Sequence, residues 1–149
     1  MVDYILIPYV DDDYEFVYLT KKNAYQRYVE ANWGEWNEDQ QRGFFVDFMD
    51  NFAKDIQIII VDNKKVGFVQ GTITEADDYD LGNICIIPEF QGKGLGTKIL
   101  HRIIEENKDR DIYLQYFKQN PVGILYSRLG FEKCEEKPYH IKMVLRKRG

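Results

Sequence analysis

A glycine-rich loop joins an apolar segment to an amphipathic one near the middle of the chain. In NICIIPEFQGKGLGTKIL, residues 83–100, the apolar run stops at Pro88 and is followed by Gly92, Gly94 and Gly96. Glycine has no Cβ, so the backbone of such a loop can approach an anion closely. The free N–H groups and the dipole of the following helix supply positive potential. The segment therefore predicts a strand, a phosphate-binding loop and a helix, with an ordinary glycine-rich turn as the alternative.

The spacing of these glycines excludes two familiar phosphate loops. A Walker loop requires G-x-x-x-x-G-K-S/T, and the sequence contains no such set. A dinucleotide fingerprint requires G-x-G-x-x-G, but Thr97 and Ile99 occupy the positions where the third glycine would stand. What remains is Gln91-x-x-Gly94-x-Gly96 after a strand that ends in proline.

Hydrophobic periodicity and turn residues predict the order β-α-α-β-β-β-α-β-α-β-β along the chain. This order is typical of an α/β fold with one mixed sheet flanked by helices. The length of 149 residues and the absence of a linker favour a single domain over residues 1–149. An edge strand near Pro8 opens the chain, and a hairpin turns at NKK, residues 63–65. Apolar positions assigned to the core are Phe16, Leu19, Ala24 and Tyr28 in a helix over 13–30, and Phe44, Phe45, Phe48 and Met49 in a helix over 38–53.

Composition limits the classes of partner. A net charge of −5, from 25 acids and 20 bases, argues against a nucleic-acid-binding module and leaves room for a cationic substrate. The two cysteines, Cys85 and Cys134, form no CxxC pair and predict neither a metal site nor a disulfide framework. No stretch approaches the length of a membrane span, and no signal peptide is recognised. We expect a soluble, cytoplasmic protein.

Two blocks of the sequence resemble the GNAT superfamily of acetyltransferases. The first is IIPEFQGKGLG, which is similar to the family's Q/R-x-x-G-x-G/A loop. The second is NPVGILYSRLGFE, about 30 residues further on, which is similar to the family's asparagine, short helix with tyrosine, and Gly-Phe. The element order also matches, so the resemblance covers nearly the whole chain. It implies the GNAT fold, with a mostly antiparallel sheet, and acetyl transfer from acetyl-CoA to an amine.

The resemblance implies which residues bind acetyl-CoA. The backbone of Ile86 and Ile87 would pair with the pantetheine arm, because the family splays its central strands there and leaves these groups free. The Ile86 N–H would hold the thioester carbonyl. Asn120 would hydrogen-bond the pantetheine. The pyrophosphate would lie on the loop amides, which belong to Gln91, Gly92, Lys93, Gly94, Leu95, Gly96 and Thr97.

Acetyl transfer to an amine requires a proton donor for the departing thiolate and a base for the amine. An N–H aimed at the developing oxyanion lowers the barrier, and a phenol can protonate the departing thiolate. Tyr126 matches the family's tyrosine in that role. Asp80 is the first candidate for the base, since strand alternation would place it on the same side as Ile86; a loop carboxylate is the alternative. For Cys85 a small buried strand residue is favoured over an acylated nucleophile.

The acceptor amine is not named by the sequence. Trp33 and Trp36, between the first two helices, are candidates for an aromatic wall beside an amine, or for caps on the core. A small-molecule amine is favoured over a protein chain end or lysine. A non-catalytic acyl-CoA sensor and a protein that uses the fold only for interactions are the remaining alternatives. The family also suggests a homodimer, and no metal is expected.

Overall fold

The computed structural model describes residues 3–148, so Met1, Val2 and Gly149 of the expected domain lie outside the described residues. Four α-helices and seven β-strands make up its regular structure. The helices are α1 (Tyr14–Trp33), α2 (Glu38–Phe52), α3 (Leu95–Glu106) and α4 (Gly123–Arg128). The strands are β1 (Ile5–Pro8), β2 (Ile56–Val61), β3 (Lys64–Ile73), β4 (Tyr79–Ile86), β5 (Ile112–Phe117), β6 (Glu132–Glu136) and β7 (His140–Leu145). Short 3-10 turns precede α1, β2 and the glycine loop.

The strands form one sheet in the order β1-β2-β3-β4-β5-β7-β6. Strand β4 runs parallel to β5, whereas the pairs β1–β2, β2–β3, β5–β7 and β6–β7 are antiparallel. Pro8 lies on the edge strand β1, where a missing N–H costs no ladder hydrogen bond. The β2–β3 hairpin turns at Asp62 and Asn63, both with positive φ, as tight hairpin turns require. The predicted turn at residues 63–65 is therefore corrected, because Lys64 and Lys65 already pair with β2. The predicted element order and the α/β fold class are confirmed.

The chain packs as two compact units. The first comprises residues 3–70 together with Asn83–Lys98, and the second comprises Gly71–Gly82 and residues 99–148. The core of the first unit is a cluster of buried side chains from α1, α2 and strands β2–β4. Its members are Val17, Tyr18, Phe45, Met49, Ile56, Ile58, Phe68 and Cys85.

Two of the predicted core positions are wrong. Leu19 is 52% exposed and Phe44 is 58% exposed, while their neighbours Tyr18 and Phe45 are buried. Adjacent residues of a helix point about 100° apart, so only one of each pair can face the sheet. The aromatic contacts explain the choice, because Phe45 meets the ring of Tyr18 edge-on at 5.1 Å between centroids.

The connection between α1 and α2 is fixed by hydrogen bonds. Gly34 has φ of 93° and ends α1, and the Asn37 side chain accepts the N–H of Gln40 to cap α2. Glu38 then accepts hydrogen bonds from the Tyr18 hydroxyl at 2.6 Å and the Trp36 indole at 3.0 Å. These two donors lower the pKa of Glu38 to about 2, so it is ionised at neutral pH.

The second unit packs helices against β5 and β7. Ile112, Leu114, Met143 and Leu145 are buried on one side of these strands. A Cβ on Gly123 would lie 2.3 Å from the Tyr116 hydroxyl, so only glycine lets α4 approach β5 this closely. Among residues 3–148, no helix has the length and apolar character needed to cross a membrane.

Candidate functional site

The loop between β4 and α3 has the backbone shape that its glycines predict. Gly92 and Gly94 have φ of 73° and 82°, in the left-handed region that side chains disfavour. A Cβ on either glycine would meet no atom within 4 Å. The demand for glycine therefore comes from the backbone angles, and the space in front of the loop stays open.

The first turn of α3 presents its N–H groups at this loop. The Lys98 N–H donates to the Gly94 carbonyl at 3.0 Å, which marks the start of the helical bonding pattern. The N–H groups of Leu95, Gly96 and Thr97 come before this bond, so they have no carbonyl acceptor within the helix. Together with the helix dipole, they make the end of α3 attractive to an anion.

The loop is tied back to the strand that leads into it. The Gln91 side chain donates to the Ile86 carbonyl at 2.7 Å. The Ile87 N–H donates to the Val66 carbonyl of β3 at 2.8 Å. We expected the backbone groups of both isoleucines to be free. This expectation is corrected for the Ile86 carbonyl, which Gln91 binds, and for the Ile87 N–H, which β3 binds.

Lys93 adds a cation at the glycine loop. Its ammonium lies 5.1 Å from the centre of the Phe90 ring. Within the part of the chain that the structure describes, no carboxylate oxygen lies within 4.0 Å of it, whereas neighbouring Lys64 pairs with Glu89 at 3.6 Å. An anion bound at the loop would supply the opposite charge that Lys93 lacks.

The side chain before Ile86 is a buried thiol. Cys85 is 2% exposed, and this burial raises the pKa of its thiol to about 11. The thiolate, the reactive form, is therefore scarce at neutral pH. Close by, the Tyr25 hydroxyl donates to Asn83, whose amide donates to Gln70 at 2.9 Å. The role of small buried residue fits Cys85 better than that of acylated nucleophile.

Asn120 and Tyr126 both lie in the second unit. Asn120 accepts the N–H of Val122 at 3.0 Å and so shapes the turn that begins α4. It lines an open groove of about 790 Å³ on this unit, together with Lys118, Ile124 and Arg128. Tyr126 lies within α4, and its ring centre is 5.8 Å from that of Tyr116 and 5.9 Å from that of Phe131.

Asp80 stands on β4 within the second unit, opposite Tyr113 of β5. Partial burial raises the pKa of its carboxyl, and the cations Lys142 and Lys137 oppose that rise. A raised pKa brings a carboxylate closer to the basicity that proton abstraction needs.

The two tryptophans differ in their surroundings. Trp33 is 53% exposed, at the end of α1. Trp36 packs against the core of the first unit, its indole N–H bonds to Glu38, and its backbone N–H bonds to Glu30. Trp36 thus secures the connection between α1 and α2, and Trp33 is the more exposed of the two.

Two lysines near Asp80, Lys137 and Lys142, were not expected from the sequence. Lys137 donates to Gln115 at 3.0 Å, and Lys142 lies over the Tyr113 ring at 4.9 Å. Alternation along β5 and β7 could have placed Gln115 and Lys142 on polar faces, but their pairing depends on the register between strands. In residues 3–148 no cluster of three or more His, Cys, Asp or Glu side chains could hold a metal ion.

Comparison with known proteins shows what the chain is similar to. The model of the acetyltransferase (GNAT) domain matches residues 53–133, which is more than half of the chain. The chain belongs to the GNAT acetyltransferase family, so the family assignment made from its two motifs is confirmed.

Relatives and solved structures agree with this assignment. An uncharacterized N-acetyltransferase, YobR of Bacillus subtilis, is 35% identical over 77 residues, covering 48% of this chain and 31% of YobR. The [ribosomal protein bS18]-alanine N-acetyltransferase of Haemophilus influenzae is 31% identical over 88 residues, covering 56% of this chain and 60% of that protein. The chain thus spans less than two thirds of either relative. The PaiA N-acetyltransferase of Thermoplasma acidophilum, solved with coenzyme A, shares the fold with a TM-score of 0.70 at 16% identity, covering 97% and 99% of the two chains.

The loop geometry leads to a paired substitution test. Gly94→Ala forces a side chain into left-handed backbone, at a cost of about 1–2 kcal/mol in the free energy of unfolding. We expect this variant to be destabilised and to bind acetyl-CoA at least fivefold more weakly, measured by denaturant unfolding and titration calorimetry. Gly43→Ala, within α2 and facing open space, should instead stabilise by about 0.5–1 kcal/mol and leave affinity unchanged. Equal affinities in both variants would contradict a role for the loop shape.

Proposed function

We propose that this protein is an N-acetyltransferase that moves the acetyl group of acetyl-CoA to a primary amine. The observation that carries the proposal is the loop at Gly92 and Gly94, which opens onto the first turn of α3 with its N–H groups and Lys93. The pyrophosphate of acetyl-CoA carries two negative charges, and such a cradle matches its charge and its need for several donors. A GNAT relative in the fold comparison was solved with coenzyme A, which supports the same ligand here.

The pantetheine arm would follow β4. With the Ile86 carbonyl held by Gln91 and the Ile87 N–H directed at Val66 of β3, the contact with the arm falls to the Ile86 N–H. The Ile86 N–H would stabilise the oxyanion of the tetrahedral intermediate, and one such donor contributes about 3 kcal/mol. Asn120 would hold the amide groups of the arm.

The reaction proceeds by direct attack. The neutral nitrogen of the amine attacks the thioester carbonyl carbon, forming a C–N bond, and the C–S bond then breaks. The departing thiolate takes the phenolic proton of Tyr126, and the nitrogen gives up a proton to Asp80. The products are the N-acetyl amine and free coenzyme A, and each proton later exchanges with water. The buried Cys85 thiol takes no part in these transfers.

A protein chain end is the second candidate acceptor. It is favoured by similarity to an enzyme named for acetylating the alanine of ribosomal protein bS18. A sensor that binds acetyl-CoA without turnover is the third possibility, and Asn120 and Tyr126 together speak against it, since a sensor needs no proton donor.

The activity is tested first with Tyr126→Phe, which removes one oxygen. Release of free coenzyme A thiol should be measured with small amines and with peptides that begin in alanine. We expect turnover to fall at least tenfold, equivalent to about 1.4 kcal/mol of barrier, while calorimetric affinity for acetyl-CoA is retained.

Tyr139→Phe, elsewhere in the second unit, provides the matched control and should keep parental turnover. Unchanged turnover in Tyr126→Phe would remove this residue from its proposed role. Binding without turnover in the parent protein, with every amine and peptide, would favour the sensor.

The base is tested with Asp80→Asn and a pH profile. Asp80 must be ionised to accept a proton, so kcat/KM of the parent should rise with pH through the raised pKa of Asp80. The variant should lose at least tenfold in kcat/KM and lose this rise. Asp78→Asn, two residues earlier, should behave like the parent. A rise of the same shape in Asp80→Asn would assign the base to another group.

A further inference from the structure

The face of the second unit that carries Asp80 is basic. Asp80 lies opposite Tyr113, and Tyr113 and Gln115 point to the same side of β5 because they are two residues apart. Lys142 of β7 lies opposite Gln115, with its ammonium 4.9 Å from the centre of the Tyr113 ring. Lys137 donates to the side-chain carbonyl of Gln115 at 3.0 Å. The Lys137 ammonium thus meets the Gln115 amide, and the Lys142 ammonium lies over the neighbouring Tyr113 ring.

Both lysines lack a close counterion. Most lysines of residues 3–148 have a carboxylate oxygen within 4.0 Å, including Lys118 and Lys133, which both pair with Glu136. Neither Lys137 nor Lys142 has such a partner within the described chain, although acids outnumber bases by 25 to 20. Asp80 attracts both lysines from farther away.

Two acids and a histidine share this face. Glu135 of β6 lies opposite Lys142 but is not within 4.0 Å of its ammonium among the described residues, and Asp111 pairs with Arg146 at 3.2 Å. His140, opposite Phe117, stacks on that ring with 4.3 Å between ring centres. Burial and the charge of Lys137 lower the pKa of His140, which keeps its ring neutral near pH 7. A carboxylate bound beside both lysines would form charge-assisted hydrogen bonds with two ammonium groups that have no such partner.

We propose that Lys137, Lys142 and Gln115 bind a carboxylate of the acceptor, so that the substrate is a small amine that also carries an acid group. This inference rests on the proposed function, since it concerns the acceptor of the same reaction. The amine of such a zwitterion would lie at Asp80, while its carboxylate would reach the lysines across the Tyr113 ring. A polyamine would be repelled by both lysines, contrary to the cationic substrate that the net charge suggested. A peptide chain end has no adjacent free carboxylate to offer.

The test compares acceptors that differ only in the carboxylate. The probes are the twenty L-amino acids with β-alanine and γ-aminobutyrate, each against its carboxamide, with thiol release as the readout. For the acceptor that is turned over best, we expect kcat/KM at least tenfold higher for the acid than for its amide. In Lys137→Met/Lys142→Met this ratio should fall below about twofold, mainly through KM of the acid, while affinity for acetyl-CoA is kept.

Two further variants separate charge from structure. Lys142→Arg keeps the cation and should retain most of the preference for the acid. Lys133→Met removes a lysine that pairs with Glu136 on neighbouring β6 and should leave the ratio unchanged. Loss of the ratio in Lys133→Met as well would mean that the effect is not local, and would overturn the assignment.

The remaining outcomes are each decisive. Amides used as well as acids, or an acid preference that survives the double substitution, would overturn the inference. So would acetyl-CoA binding with no acid acetylated, because the inference requires acids to be acceptors. Failure to bind acetyl-CoA at all would count against the proposed function itself, and calorimetry separates that result from the others.

Discussion

The left-handed backbone at Gly92 and Gly94 is the constraint on which the site depends. Without it, the chain leaving β4 could not turn into α3 with the first N–H groups of the helix facing an open loop. Because no atom stands within 4 Å of a Cβ at either glycine, the space beside the loop is open to a ligand. A demanding backbone conformation beside open space is typical of ligand sites.

Some charged side chains of the protein are paired with each other, and others have no nearby opposite charge. Glu38 and Arg42 neutralise each other within a hydrogen-bonded group that fixes α2 to α1. Lys93, Lys137 and Lys142 have no carboxylate within 4.0 Å in the described residues. The first belongs to the glycine loop, and the other two accompany Asp80. The two proposed anion sites rest on these cations, since a charged donor forms its strongest hydrogen bonds with an anion.

Local sequence signals explain why much of the fold could be predicted. Element order, the edge position of Pro8, the hairpin turn and the glycine loop each follow from residues close together in the chain. Leu19 and Phe44 were misassigned because hydrophobicity does not tell which of two adjacent apolar residues faces the sheet. The Ile87–Val66 hydrogen bond and the grouping of Lys137, Gln115 and Lys142 depend on strand register, which residue patterns alone leave undetermined.

The most direct test of the account is an amide NMR titration of the 15N-labelled protein with acetyl-CoA. If the loop binds the pyrophosphate, the largest changes in shift should fall on the N–H groups of residues 92–97. Pantetheine, which has no pyrophosphate, should leave the chemical shifts of these amides unchanged while it changes the amide shift of Ile86. Saturable binding of acetyl-CoA with no response from residues 92–97 would contradict the central claim that this glycine loop holds the cosubstrate.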